Sequence, residues 1–125
     1  MKPTPGLTEA EEKLAVLIWR ETALTSPALV KIAEAELTWN RSSTFTILHK
    51  LCEKGVCKNE STIITVLHTR EEQMERQSRR FVEDTFGGSL PQFITSFFGN
   101  RKLSQEQADE LRRLIDEREE RAANG

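Results

Sequence analysis

Apolar positions recur with helical spacing over most of this chain, and the spacing is interrupted once, between residues 56 and 67. Residues 1–6 hold two prolines and a glycine and predict a loose lead-in. Thr8 and Glu11 then form a capping box with Leu7 placed to staple it, opening a helix that buries Ala10, Leu14, Leu17 and Ile18 and ends on Trp19. Thr22–Thr25 reads as a connection. Ser26 followed by Pro27 signals a second helix start, with Leu29, Val30, Ala33 and Leu37 turned inward. A third helix begins at Asn40 or Arg41 and stops at Gly55. Counting about 100° per residue puts Thr44, Ile47, Leu48 and Leu51 on its inner face. Ser42, Thr46, His49 and Glu53 lie opposite, with Lys50 and Ser43 at one edge and Phe45 and Cys52 at the other.

The period then shortens. Val56–Lys58 and Ile63–Leu67 are β-branched runs around the polar turn Asn59-Glu60-Ser61, which predicts a two-stranded ribbon. Thr69 caps a further helix reaching about Phe86 and expected to bury Met74, Phe81 and Val82, and Gly87-Gly88 breaks it. Ser89 caps a segment with the face Leu90, Phe93, Ile94, Phe97 and Phe98, and Gly99–Lys102 forms a turn. Ser104 and Gln107 make another capping box, and a last helix presents Leu103, Ala108, Leu111, Leu114 and Ile115 before fraying from Arg121 onward. The predicted fold class is mainly α with a small β-hairpin. It reads as a winged helix-turn-helix over residues 7–69, followed by a helical homodimerisation region over 70–120. In such an arrangement the third helix enters a DNA major groove and the ribbon flanks it.

Charge sharpens the picture. The net charge is −2, poor for a nucleic-acid binder, but residues 38–58 carry Arg41, Lys50, Lys54 and Lys58 against Glu53 alone. One basic face on a neutral domain suits specific DNA binding with weak nonspecific affinity. The candidate DNA-facing residues are Arg41, Ser42, Ser43, Thr46, His49, Lys50 and Lys58. Five of the six phenylalanines fall between 81 and 98, more aromatic surface than one hairpin of helices covers, so a second copy is expected to cover it. The candidate seam is Phe81, Phe86, Leu90, Phe93, Ile94, Phe97, Leu111, Leu114 and Ile115; folding back onto the first domain is the alternative.

No run approaches 18 apolar residues and no basic-then-apolar leader is present, which argues against a membrane span or secretion signal and for a cytoplasmic protein. Two histidines and two cysteines without a CxxC make no convincing metal site, and no cofactor is expected. Cys52 and Cys57 read as ordinary thiols rather than a redox pair, because Gly55 ends the helix between them. Ser42, His49 and Glu53 share a helical face, but without oxyanion donors they make a poor triad, so an enzyme is not expected.

LTEAEEKLAVLIW at 7–19, WNRSSTFTILHKLCEKGV at 39–56 and FGGSLPQFITSFF at 86–98 resemble, in order and spacing, the penicillinase and methicillin-resistance repressor family, which also contains copper-transport repressors. The resemblance runs from Leu7 to about Glu119. It implies a homodimeric winged-helix repressor, bound to double-stranded operator DNA and held by intertwined C-terminal helices until inactivated. Ser42 and Ser43 fall on the family's hydroxyl pair and Thr46 on its threonine, while Lys50 replaces an arginine and His49 sits where a polar residue varies. Phe45 departs from a common Lys or Arg, Glu12 from a large apolar residue, and STIITVL from the usual Gly-Arg and aromatics of the wing. The copper branch's CxC tail is absent. In the antibiotic branch a membrane sensor-protease system triggers cleavage before a phenylalanine; Ser96-Phe97 falls on that bond, with Ser in place of Asn. Two rivals stand beside this reading. One is a dimeric protein-interaction module, a degenerate repressor relative without specific DNA binding, favoured by Phe45 and the altered wing. The other is a ligand-sensing regulator, for which no pocket signature is apparent.

Overall fold

In the computed structural model, which describes residues 4–21 and 23–124 (backbone alone for 122–124), six helices and one antiparallel hairpin follow in the expected order. They are α1 Glu9–Arg20, α2 Ser26–Leu37, α3 Arg41–Glu53, β1 Cys57–Glu60, β2 Ile63–Val66, α4 Arg70–Phe86, α5 Leu90–Phe98 and α6 Gln105–Asn124. The chain divides into two compact units, one reaching to Phe81 and one starting at Val82, with α4 running through the division.

The first unit is a winged helix built on α1, α2 and α3. Its core is Leu14, Ala15, Leu17, Ile18, Leu24, Leu29, Ala33, Leu48, Leu51, Val56, Cys57 and Ile64. On α1 the buried stripe includes Ala15 and Glu11, and Ala10 is only half-buried; on α2, Val30 and Leu37 are half-buried as well. The α2 start lies one residue earlier than Ser26-Pro27 suggests. Thr25 is the cap, extended at φ −105° and accepting from the Ala28 N–H, and Ser26 is already helical with its N–H bonded to the Thr62 carbonyl at 2.8 Å. Thr22, assigned to the same connection, lies outside the described residues.

Thr8 and Glu11 close the expected box, with the Thr8 N–H donating to Glu11 Oε1 at 2.8 Å and the Glu11 N–H to Thr8 Oγ1 at 3.2 Å. Glu11 has a second partner that the local spacing does not reveal: Lys54 Nζ donates to Glu11 Oε1 at 2.5 Å and to the Gly6 carbonyl at 2.9 Å. The lead-in is accordingly not loose over Thr4–Gly6. The Thr4 N–H donates to Glu12 Oε2, and Arg70 bonds both Thr4 Oγ1 and Glu12 Oε1, clasping the arm, α1 and the base of α4. Residues 1–3 lie outside the described residues. Glu12, where the family that the sequence resembles has a large apolar residue, is thus half of a part-buried ion pair.

Burial alone would raise the Glu11 pKa, but the bonds from Lys54 and the Thr8 N–H outweigh it and hold the carboxyl below its ordinary range. A depressed folded pKa adds stability above the unfolded value and loses it as pH falls through the folded one. Urea unfolding between about pH 6 and pH 3 should therefore show stability dropping on the acid side, with Glu11→Gln less stable at neutral pH and shallower in its pH dependence. An unchanged slope in that variant would remove Glu11 from the acid response.

The hairpin register pairs Cys57 with Val66 and Glu60 with Ile63. Both strands differ from expectation: β1 extends to Glu60, and the turn is Ser61-Thr62, both left-handed at φ +50° and +68°. That is the backbone of a two-residue hairpin turn whose twist matches its strands, built here without glycine. The Ile64 N–H donates to the Leu24 carbonyl at 2.9 Å, and Thr25 bridges Ile63, so the ribbon is sewn to the α1–α2 connection. Ile64 packs inward and Ile63 outward. Below the ribbon, Trp19 Nε1 donates to the His68 carbonyl at 3.0 Å, and His68 Nδ1 lies 2.7 Å from the Gly55 carbonyl oxygen and 3.1 Å from the Arg76 guanidinium.

Thr69 and Glu72 cap α4 reciprocally. Its expected inner face is corrected: Met74 and Phe81 are exposed, Val82 is half-buried, and Gln73 is the buried residue. In the second unit Ser89 caps α5 through the Gln92 N–H, after left-handed Gly87 and Gly88. Ser104 accepts from the Gln107 N–H, half of the expected box. α6 continues to Asn124, past the expected fraying point, and Gly125 lies outside the described residues.

Candidate nucleic-acid interface

α3 has two faces set by its position on the core. Thr44, Leu48 and Leu51 are buried, and Thr44 Oγ1 spends its proton on the Asn40 carbonyl at 2.9 Å. The Asn40 side chain caps the helix, accepting from the Ser43 N–H at 2.8 Å. With the inner face fixed, Arg41, Ser42, Ser43, Thr46, His49 and Lys50 are all exposed on the outer side. The structure brings these six together along one helix. Lys58 stands apart on β1, exposed, with its Nζ 3.7 Å from Glu60 Oε2.

Each group has a definable chemical capacity. Thr46 donates its hydroxyl proton to the Ser42 carbonyl at 3.0 Å, leaving Oγ1 able to accept from a base amino group and its methyl free to meet a thymine methyl. His49 Nε2 lies 2.7 Å from Glu53 Oε1, a contact that restrains the ring. The Arg41 guanidinium sits over the Phe45 ring, 5.1 Å from its centroid. Phe45 therefore replaces a charge of its own by holding the cation one turn earlier.

Sequence counting overestimated the basic face. Lys54 is paired with Glu11, and Glu60, just beyond the counted window, accompanies Lys58. The seating of Arg41 on Phe45 was also missed; the i, i+4 spacing of cation and ring was the available signal. Cys52 and Cys57, separated on paper by Gly55, are in contact, with Sγ atoms 3.8 Å apart.

The second candidate surface belongs to the second unit. Leu90, Phe97 and Ile115 are 58%, 59% and 57% exposed, and no side chain described between 82 and 121 is fully buried. Phe86 meets Phe93 edge-on at 5.7 Å between centroids, and Phe93 meets Phe97 at 6.0 Å. Between α5 and α6 an open groove of about 330 Å³ is lined by Phe93, Ile94, Phe97, Leu111 and Leu114 among others. Phe81, also in the expected seam, is half exposed at the end of the first unit. The Ser96–Phe97 peptide lies within α5, and both side chains are exposed.

Among the described residues no cluster of three or more His, Cys, Asp or Glu is placed to hold a metal ion. No described helix is long and apolar enough to cross a membrane.

The chain is similar to the penicillinase repressor of Bacillus licheniformis, at 24% identity over 125 residues, covering 97% of this chain and 98% of that one. It is also similar to the methicillin resistance regulatory protein MecI of Mammaliicoccus sciuri and of Staphylococcus aureus strain N315, each at 20% identity over 119 residues, covering 92% of this chain and 97% of the relative. The model of the penicillinase repressor family matches residues 7–117. With nearly the whole chain matched, it belongs to the penicillinase repressor family, whose members are transcriptional repressors and not enzymes.

Proposed function

We propose that this protein is a cytoplasmic homodimeric repressor that grips pseudo-palindromic operator DNA with α3 and lets go when its dimer seam is lost. The observation that carries the reading is the outer face of α3, where Arg41, Ser42, Ser43, Thr46 and Lys50 stand exposed on a helix whose other side is locked into the core. Small hydroxyls meet base edges and phosphates at close approach, and the two cations neutralise phosphate. One short helix reads few base pairs, so a two-fold pair of helices supplies the specificity. The apolar residues exposed on α5 and α6 support a partner of the same kind, a second copy matching its own surface. The proposed regions are the winged helix over 7–69 and the dimerisation region over 70–120.

Protection mapping upstream of the gene and its neighbours identifies the operator, and substitutions then test the face. Thr46→Ala should reduce discrimination between operator and scrambled duplex by roughly 1–3 kcal/mol. Lys50→Ala should weaken binding to both and lower the salt slope by about one per protomer. The rival reading, a dimeric interaction module without DNA specificity, draws on the pairing of His49 with Glu53 and Lys58 with Glu60. Equal affinity for operator and random duplex would decide for the rival.

For release, we propose cleavage at Ser96–Phe97 under a membrane sensor-protease signal. A nine-residue helix is marginal by itself, so local opening can present this bond in the extended form a protease needs. Intact protein persisting while its target gene is fully induced would remove the proteolytic route.

A further inference from the structure

The Cys52 and Cys57 thiols play no part in reading DNA or in the seam. They meet where α3 hands over to β1. Gly55 at φ +78° reverses the chain there, its N–H bonding the Cys52 carbonyl at 3.0 Å and the Val56 N–H bonding the Leu51 carbonyl at 3.1 Å. The reversal lays the start of β1 beside the last turn of α3. The sulfur atoms are in van der Waals contact at 3.8 Å, about 1.8 Å beyond bonding distance. Cys57 is 1% exposed, Cys52 is half-buried, and both line an open cavity of about 430 Å³ with Phe45, His49 and Lys58. A small oxidant can reach the sulfurs through it.

We propose that Cys52 and Cys57 are a peroxide-responsive dithiol that closes into an intramolecular disulfide across the α3–β1 junction. Cys52, the more accessible thiol, gives up its proton and attacks one oxygen of hydrogen peroxide. The O–O bond breaks, Cys52 becomes a sulfenic acid, and the departing hydroxide takes a proton to leave as water. Cys57 Sγ then attacks the Cys52 sulfur. The S–O bond breaks, and the leaving hydroxide carries away the Cys57 proton as a second water. Two thiols and one peroxide thus give one disulfide and two waters, the sulfurs losing the two electrons that the peroxide gains. Burial, and then the neighbouring Cys52, push the Cys57 thiol up to about 12, so it stays protonated at neutral pH. The second step is slow for that reason, and the pair answers sustained rather than brief oxidant exposure.

Closure draws β1 toward α3 and narrows the cavity between Lys58 and His49, both candidate DNA contacts. Resting on the DNA-binding reading above, oxidation should weaken operator binding about tenfold, the equivalent of one good base contact.

The test uses the full-length reduced protein, exposed to excess hydrogen peroxide, quenched with catalase, then denatured and alkylated. The expected product takes up no alkylating agent, weighs about 2 Da less, yields a linked Cys52–Cys57 peptide, and reverts with dithiothreitol. Two alkylatable thiols after prolonged exposure, over-oxidised Cys52, or disulfides only between chains would each overturn the proposal. Fluorescence anisotropy on the same samples should show the weakening reversed by dithiothreitol and abolished in Cys57→Ser, with Cys52→Ser as second variant should the buried substitution not fold. A linked protein with unaltered operator affinity would overturn the regulatory consequence. Failure of the reduced protein to prefer operator would overturn the DNA reading alone, since the mass measurement does not depend on it.

Discussion

Truncated after Ser96, the chain is expected to bind operator about 10²–10⁴-fold more weakly than the intact protein, with its first unit still folded. The cut removes Phe97, Phe98 and the whole of α6, which supply most of the groove against Phe93 and Ile94. Two linked reading helices bind a palindrome at high effective concentration, because the second contact is intramolecular; unlinked helices lose that advantage without any change in the residues that touch DNA. Phe93→Asp is the single-residue version. It puts a carboxylate among Phe86, Phe97 and the groove lining, where an unpaired charge is strongly disfavoured once covered. Sedimentation equilibrium at micromolar concentration should give a dimer for the intact chain and a monomer for both variants. Undiminished operator affinity in the fragment would separate repression from the seam.

Leu51→Ala should lower the stability of the first unit by roughly 2–5 kcal/mol, a large share of the about 5–15 kcal/mol available to a typical domain. Leu51 is fully buried on the inner face of α3, in the same core as residues of α1, α2 and the ribbon. Removing three carbons there leaves a cavity that the capped helix cannot easily collapse into. The urea midpoint should fall with little change in slope, and operator affinity should fall with it as α3 loses its seat. Thr46→Ala, on the exposed side of the same helix, should stay within about 0.5 kcal/mol of the parent. If the two variants unfold at similar urea concentrations, α3 is not anchored in the way described.

The contrast between these residues marks what sequence alone can tell. The ends and faces of α3 were legible because they are local: Asn40 caps, Gly55 reverses the chain, and the helical period sorts Thr44, Leu48 and Leu51 from Ser42, Thr46 and His49. Partners distant in sequence were not. Glu11 announced a capping box, but nothing near it announces Lys54, 43 residues later, and Lys54 was counted as surface charge for the same reason. Thr25 and Ser26 are equally good caps by residue type, and Thr25 is the one held extended, bridged to Ile63 of the ribbon. Gly55 ends the helix between the two cysteines, yet its left-handed turn brings them together. Met74 and Phe81 carry an apolar signal that local periodicity assigns to burial, yet both are exposed in the single chain. Such spacing records a need for cover without naming what provides it.

The ribbon tip has a bearing on how readers of this kind diversify. The core fastens to it through main-chain groups, the Thr62 carbonyl holding the Ser26 N–H and the Ile64 N–H reaching the Leu24 carbonyl. The Ser61 and Thr62 side chains point to solvent and take no part in that fastening. An insertion of one residue there would shift the carbonyl and loosen the first turn of α2, whereas a change of side chain would leave the scaffold untouched. The tip behaves like a socket of fixed shape with interchangeable contents, in which Asn-Gly would relax the left-handed strain. With the ribbon beside the operator, as proposed above, substitution at this site alone would change operator preference without renegotiating the interior.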